Sequence, residues 1–358
     1  MKIDNKIKVL QLITGLGVGG AERVVVELAS ELSKNNLNVD VLGLNSNNSI
    51  LQQYANINFR IDSLQLKKNP LSFIHTLLYL NKFIKKNSIT IIHAHMFHAL
   101  IFALLTKLFK PKLKIVFTSH SFFGFNQLRS FIIRYTKKAR HLDIVFDINQ
   151  HPHLNAKQTV VINNAVHIPY LKKSLITNNK KAVTTLLFLG RLEPPKNPVE
   201  LIHIFAKIKN KNCHLLIAGD GYLKGDVESA IKKLSLQNRV TLLGIVTDIS
   251  SLMLKVDCLV LPSLWEGLPM AVLEAGSYAL PIISTSVGAI PRLLSDDCGY
   301  LSTLAQFPET LDLILNDLAL ANKRGNNLYN KIKLEYSLSS ISKQHFDIYQ
   351  SISNEITQ

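Results

Sequence analysis

At 358 residues, 47% of them apolar, the chain is long enough for two α/β domains of about 150–180 residues each, and it holds no low-complexity tract of the kind that stays disordered. Three scattered cysteines, Cys213, Cys258 and Cys298, exclude a disulfide framework and fit buried small hydrophobes in a reducing compartment. The net charge of +16 is uneven: residues 1–168 hold 21 basic and 8 acidic side chains, residues 169–358 hold 20 and 17.

Between Ser63 and Leu142 there is no Asp or Glu against 14 Lys or Arg. Solvated surfaces of a lysine-rich chain are the plain reading. An acid-free field of that length also draws polyanions, whether anionic lipid or nucleic acid. The opening MKIDNKIKVLQLITGLGVGGAE has too short an apolar run for a signal peptide and reads as a first strand. The apolar stretch Phe97–Phe109 is broken by His98, Thr106 and Lys107, short of the roughly 18 residues of a spanning helix. The expectation is a cytoplasmic chain, peripheral on the inner face of the cell membrane.

In chain order, Lys8–Thr14 predicts a strand, Ala21–Lys34 a helix (Val24, Val25, Leu28, Leu32) and Asn38–Leu44 a strand. Pro70–Lys86 predicts an amphipathic helix with Leu71, Ile74, Leu77, Leu78 and Ile84 on one side. Strand Ser88–Ala94, helix Phe97–Phe109 and strand Lys114–Thr118 follow. Tyr170–Ala182 is polar and reads as a linker. The pattern then restarts with strand Thr185–Gly190, helix Pro198–Lys209 and strands His214–Ala218, Val240–Leu243, Cys258–Leu261 and Pro281–Ser284. Leu338–Ile352 has helical spacing. Strands alternating with helices predict an α/β chain of two Rossmann-like domains with parallel sheets, facing across a cleft that would hold the ligand. The expected boundaries are 1–168, a linker at 169–182, a second domain at 183–335, and a C-terminal helix at 336–358 that packs back on the first domain.

The most specific passage runs Pro262-Ser-Leu-Trp-Glu266-Gly-Leu-Pro-Met-Ala-Val-Leu-Glu274-Ala-Gly276. A strand ends at Leu261, a turn presents Glu266, and Pro269 at the first helical position starts a helix. Leu268 and the amides of Met270 and Ala271 at that helix start suit a diphosphate. Carboxylates on either side, Glu266 and Glu274, would accept hydrogen bonds from a sugar and from a ribose. The plain alternative makes Glu266 a helix-dipole partner and Glu274 a solvated helix residue. A second motif, Phe188-Leu-Gly190-Arg191-Leu-Glu-Pro-Pro-Lys196, sends a planar fork and a point charge from one strand end toward one phosphate. Surface ion pairs with Glu193 or Glu200 compete with that use.

The spacing Glu266-x7-Glu274 in EGLPMAVLEA resembles the signature of the group 1, or family 4, retaining glycosyltransferases with the GT-B fold, and the Gly-Arg…Lys pair is similar to the family's diphosphate grip. The resemblance covers nearly the whole chain. It implies a nucleotide-diphosphate sugar as donor, a glycan or polyprenyl-diphosphate-linked acceptor, and a role in cell-surface polysaccharide or glycolipid synthesis. It implies no metal and no cofactor; no Asp-x-Asp occurs. His120, at a strand end, is implied to touch the donor sugar, a buried hydrogen-bonded histidine being the alternative. His93, His95 and His98 have no Cys, Asp or Glu near them to complete a metal site, and His95 near the acceptor is left open. Gly219, Asp220 and Gly244 are implied to line the base pocket through backbone groups. Gly19 and Gly20 belong to the loop Gly15-Leu-Gly17-Val-Gly19-Gly20-Ala-Glu-Arg, whose GGAER form resembles the family's.

Two rivals stand beside this reading. Gly15, Gly17 and Gly20 also fit G-x-G-x-x-G, the mark of an NAD(P)-dependent oxidoreductase, but strand Asn38–Leu44 ends without the acid that would bind the ribose. A basic nucleic-acid-binding α/β protein is suggested by charge alone, without a recognition motif, and nucleic acid is not expected as a partner. The resemblance weakens over Asp143–Tyr170. There Asp147–His153 replaces the usual strand and helix, and Ala165 stands where glycine is usual, which puts the last strand–helix unit of the first domain in question.

Overall fold

A computed structural model describes residues 7–17, 19–47, 49–50, 57–120, 127–146, 159–169, 183–267 and 269–354. The chain divides into two compact units: Met1–Ala165 with Leu338–Gln358, and Val166–Ser337. The linker stretch 170–182, the segment 147–153 and Leu268 lie outside the described residues.

The first unit runs β1 (Lys8–Ile13), α1 (Gly20–Lys34), β2 (Asn38–Gly43), β3 (Arg60–Ser63), α2 (Pro70–Asn87), β4 (Ile91–His95), α3 (Met96–Phe109), β5 (Lys114–Thr118), α4 (Gln127–Tyr135), β6 (Leu142–Val145) and β7 (Thr159–Val161). Among the described residues, seven parallel strands lie in the order β3-β2-β1-β4-β5-β6-β7. β6 and β7 both pair at the sheet edge, so strands are present on either side of the questioned segment, and Ala165 is fully buried. β4 begins at Ile91 rather than Ser88, because Ser88 turns left-handed (φ 53) to end α2.

Side chains alternate across this sheet, as a period of two requires. Leu10, Leu12, Ile92, Ala94, Ile115 and Phe117 pack with Leu80 and Phe83 of α2, Ala99 and Phe102 of α3 and Ile133 of α4. Val9, Ile13, Ile91 and Val116 face the opposite layer, with Val25, Leu28 and Leu32 of α1. That second layer is completed by α12 (Leu338–Asn354), whose Ile341, Phe346, Tyr349 and Ile352 join the same cluster.

One expectation is corrected in α2. Its core face is Thr76, Leu80, Phe83 and Ile84, while Leu71 (81% exposed), Ile74 (55%) and Leu78 (64%) face solvent. The helix is apolar on two sides, and the ring of Phe73 on Phe102 of α3 (centroids 4.6 Å) helps set which side turns inward.

The second unit runs β8 (Thr184–Leu189), α5 (Pro198–Lys207), β9 (Cys213–Ala218), α6 (Lys224–Lys233), β10 (Val240–Gly244), α7 (Ile249–Met253), β11 (Cys258–Leu261), α8 (Met270–Ser277), β12 (Ile282–Thr285), α9 (Ile290–Leu294), β13 (Tyr300–Ser302), α10 (Phe307–Asn316) and α11 (Leu318–Glu335). Six parallel strands lie in the order β10-β9-β8-β11-β12-β13. The order reverses at β8, which pairs with β9 on one side and β11 on the other. The loops leaving β8 and β11 therefore flank the place where an open α/β sheet presents its ligand site.

Candidate functional site

Those two loops carry the two sequence motifs. After β8 the chain turns through Pro194–Lys196, and Asn197 in the left-handed region (φ 54) starts α5. After β11 it passes through Ser263 and Glu266 to α8, with Pro269 one position before the first helical residue rather than in it. The amide of Leu264 donates to the carbonyl of Pro195 (2.8 Å), tying one turn to the other. Lys196 Nζ donates to both oxygens of Glu266, at 2.6 and 2.8 Å, and Ser263 Oγ donates to Oε1 at 2.7 Å. The Glu266 side chain is 6% exposed and that of Lys196 19%. An ammonium and a carboxylate held together on the sheet's switch point, largely out of water, form a charge pair that a polar ligand can enter.

The surrounding backbone is close-packed. Thr285 Oγ1 donates to the Ser263 carbonyl (2.5 Å), and the Ala289 amide to that of Gly267 (3.0 Å). Gly219 (φ 142) lies so close to Gly190 that a Cβ would overlap the Gly190 carbonyl oxygen; only glycine suits it. Its amide donates to Gly244 (2.8 Å), so the ends of β8, β9 and β10 are bonded side by side. Gly244 is left-handed (φ 67). Asp220 is exposed, and its Oδ1 accepts from the Gly221 amide at 2.8 Å.

At the start of α8 the amides of Met270 and Ala271 precede any intrahelical partner, while that of Val272 donates to the Pro269 carbonyl (3.1 Å). Ala271 is buried; Glu274, in the second turn, is half-buried. Arg191 is placed differently from its expected use. Its side chain is 74% exposed, and its guanidinium pairs with Glu193 at 2.9 Å, the surface ion pair weighed against the phosphate role. Gly19 caps α1, Gly20 opens it, and the carboxylate of Glu22 closes over Gly19 where a bound anion would sit. Burial raises the Glu22 carboxyl above its ordinary range. Gly15 and Gly17 face the side chains of Asn45 and Asn47 rather than open space, and no acid stands at the end of β2.

In the first unit the histidines form a network. His95 Nδ1 lies 2.8 Å from His120 Nε2, and His95 Nε2 lies 2.7 Å from Gln11 Oε1. Gln11 Nε2 donates to Tyr349 Oη (3.0 Å), which lies 2.7 Å from His93 Nδ1; His93 Nε2 lies 2.7 Å from Thr118 Oγ1. Burial pushes all three imidazoles down, His120 to about 4, with the charge of neighbouring histidines adding to it. Both nitrogens of His93 and of His95 are engaged by protein groups. His120 keeps part of its surface open beside Phe146 (ring centroids 5.7 Å). Met96, directly after His95, takes a left-handed backbone (φ 71), a strain that ends β4 abruptly.

Sequence reasoning missed Ser263, Gln11 and Tyr349, and weighed His93 only as a metal ligand. Gln11 carries a signal, as a lone amide inside the apolar run Val9–Ile13. Tyr349 carries none, because its partners are 338 and 256 residues away.

Residues 172–331 match the family described as glycosyl transferases group 1, and residues 18–166 match glycosyltransferase family 4. The chain belongs to the group 1, family 4 glycosyltransferases. That assignment displaces the NAD(P) oxidoreductase reading. The UDP-Gal:α-D-GlcNAc-diphosphoundecaprenol α-1,3-galactosyltransferase of Escherichia coli is 30% identical over 185 residues, covering 49% of this chain and 48% of that one. The phosphatidylinositol N-acetylglucosaminyltransferase gpi3 subunit of Schizosaccharomyces pombe is 26% identical over 259 residues, 68% of this chain and 57% of its own. The chain thus spans about half the length of these curated relatives. Among solved structures, Anabaena HepE in complex with UDP superposes with a TM-score of 0.84 at 18% identity, covering 96% of this chain and all of that one; it shows the GT-B fold.

Proposed function

We propose that this family 4 chain transfers a sugar, with retention of anomeric configuration and without a metal cofactor, from a nucleotide-diphosphate donor to a glycan or polyprenyl-diphosphate-linked acceptor. The pathway is cell-surface polysaccharide or glycolipid synthesis. The observation that carries the reading is the Lys196–Glu266 pair, assembled from the loops after β8 and β11 beside the start of α8. On donor binding Lys196 turns its ammonium to the departing diphosphate, where negative charge grows in the transition state. The first amides of α8 and the fork of Arg191, exchanging Glu193 for phosphate, supply further donors. Glu266 then accepts hydrogen bonds from sugar hydroxyls and Glu274 from the ribose, while backbone groups at Gly219, Asp220 and Gly244 line the base. His120 touches the sugar undergoing transfer. A uracil base is the first choice, since Anabaena HepE is complexed with UDP and UDP-glucose and the Escherichia coli relative is named for UDP-Gal.

The acceptor is met at the inner face of the cell membrane. The outer layer formed by α2, α3 and α4 lies wholly in the acid-free span 63–142 and exposes Leu71, Ile74, Leu78, Leu108, Phe109, Leu128, Phe131 and Tyr135. Exposed Lys67, Lys82, Lys85, Lys112 and Lys137 accompany them. Cations add about 1 kcal/mol each near an anionic leaflet, and exposed Leu and Phe suit a bilayer better than nucleic acid. Phe102 and Leu113 are buried, and Arg140 is buried against Asp143 (2.6 Å), so these three stand apart from that face. Among the described residues no helix is long and apolar enough to cross a membrane. Thermal-shift titration with UDP, UDP-glucose, UDP-galactose and UDP-N-acetylglucosamine, followed by transfer assays on undecaprenyl-diphosphate sugars, tests the reading. Absence of any shift with nucleotides of every base sinks it.

A further inference from the structure

Gln11 sits in the middle of β1 at 0% exposure, on the face turned to α12, and a buried amide there is costly unless both of its ends are satisfied. They are. Its carbonyl oxygen only accepts, so the contact from His95 Nε2 must be an N–H donated by His95. In a neutral His95 the other nitrogen, Nδ1, is then bare and accepts; the proton of that contact belongs to His120 Nε2. His120 Nδ1 is left with a lone pair. At its other end the Gln11 amide nitrogen donates to Tyr349 Oη, so the Tyr349 proton goes to His93 Nδ1, and His93 Nε2–H donates to Thr118. Rotating the amide by half a turn reverses every proton along the chain, and His120 would then present an N–H instead of a lone pair.

We propose that Gln11 and Tyr349 are positioning residues: through His95 they hold His120 in the Nε2–H tautomer, so that an acceptor atom, Nδ1, faces the sugar. The inference rests on the assignment of His120 to the donor sugar. It gives α12, the last helix of the chain, a part in ordering the site of the first unit. Burial keeps these imidazoles neutral, as the relay requires.

The test uses the full chain with ring-15N histidine and long-range 1H–15N NMR near neutral pH, the His120 signals being assigned by their loss in His120→Gln. The wild-type chain should show His120 protonated at Nε2 and bare at Nδ1; a protonated Nδ1 overturns the proposal without any further variant. Gln11→Met keeps length and volume but neither hydrogen bond. If it folds, as judged by Tm, His120 should become a mixture of tautomers, and kcat should fall about tenfold or more while donor KM changes by less than about twofold. Tyr349→Phe should shift both in the same direction. A folded Gln11→Met with wild-type tautomer and kcat refutes the relay. Full activity in His120→Ala, by contrast, removes the role given to His120 and leaves the tautomer result standing.

Discussion

Lys196 is the residue on which most of the proposed chemistry turns. It donates to both oxygens of Glu266, a carboxylate that also accepts from Ser263 Oγ. Lys196→Ala should cut kcat by about 10²–10³-fold, the cost of losing one preorganised donor to a developing anion. It should also lower Tm, since Glu266 keeps its burial and loses its cation; Lys196→Ala combined with Glu266→Gln should recover part of the Tm and none of the activity. Steady-state kinetics and thermal melts on the three variants check this, and a double variant no more stable than the single one contradicts it. Gly219→Ala meets the Gly190 carbonyl at a backbone angle alanine avoids, and should cost about 2 kcal/mol or more, read as a Tm drop in a melt. At this scale Lys196 and Glu266 were legible because their motif spacing is specific. The partner of Arg191 was not, because a long exposed side chain chooses among nearby carboxylates only once the fold sets them out.

Elements were legible to within a residue or two wherever one periodicity dominated, as in β5 and α3. The α2 helix shows where that reading ends. Its period is helical, yet two apolar stripes compete, and packing on α3 buries Thr76, Leu80, Phe83 and Ile84. The outward stripe supplies the prediction at this scale. Leu71→Glu with Leu78→Glu should leave Tm nearly unchanged, because both side chains are exposed, and should weaken co-sedimentation with vesicles rich in anionic lipid by about tenfold or more. Binding by the double variant equal to wild type would remove α2 from the docking face; self-association of the wild-type chain lost in the variant would instead make the stripe a contact between copies.

Over the whole molecule, the buried histidines sit in the first unit, and acid should act there. His93, His95, His120 and His345 have folded-state values below the ordinary 6.5, His120 and His345 at about 4, through burial. Between about pH 6.5 and 4 the unfolded chain takes up protons that the folded chain refuses. The stability they contribute is therefore full above 6.5 and is lost as pH falls toward 4. Calorimetry from pH 7.5 to 4.5 should show a transition moving down by about 5 °C or more, and His345→Phe should flatten that slope. A Tm independent of pH across the interval contradicts the burial of these rings.

The sequence by itself determined the alternation of strand and helix, the family and the two loops that carry Lys196 and Glu266. Those follow from short-range periodicity and from motifs whose residues are close in the chain. Only the tertiary structure decided which stripe of α2 is core, that Glu22 covers Gly19, and that Gln11 and Tyr349 meet. Such facts depend on contacts between residues far apart in the chain, chosen by which apolar faces bury one another, and a hydrogen bond spanning 338 residues leaves no local trace to read.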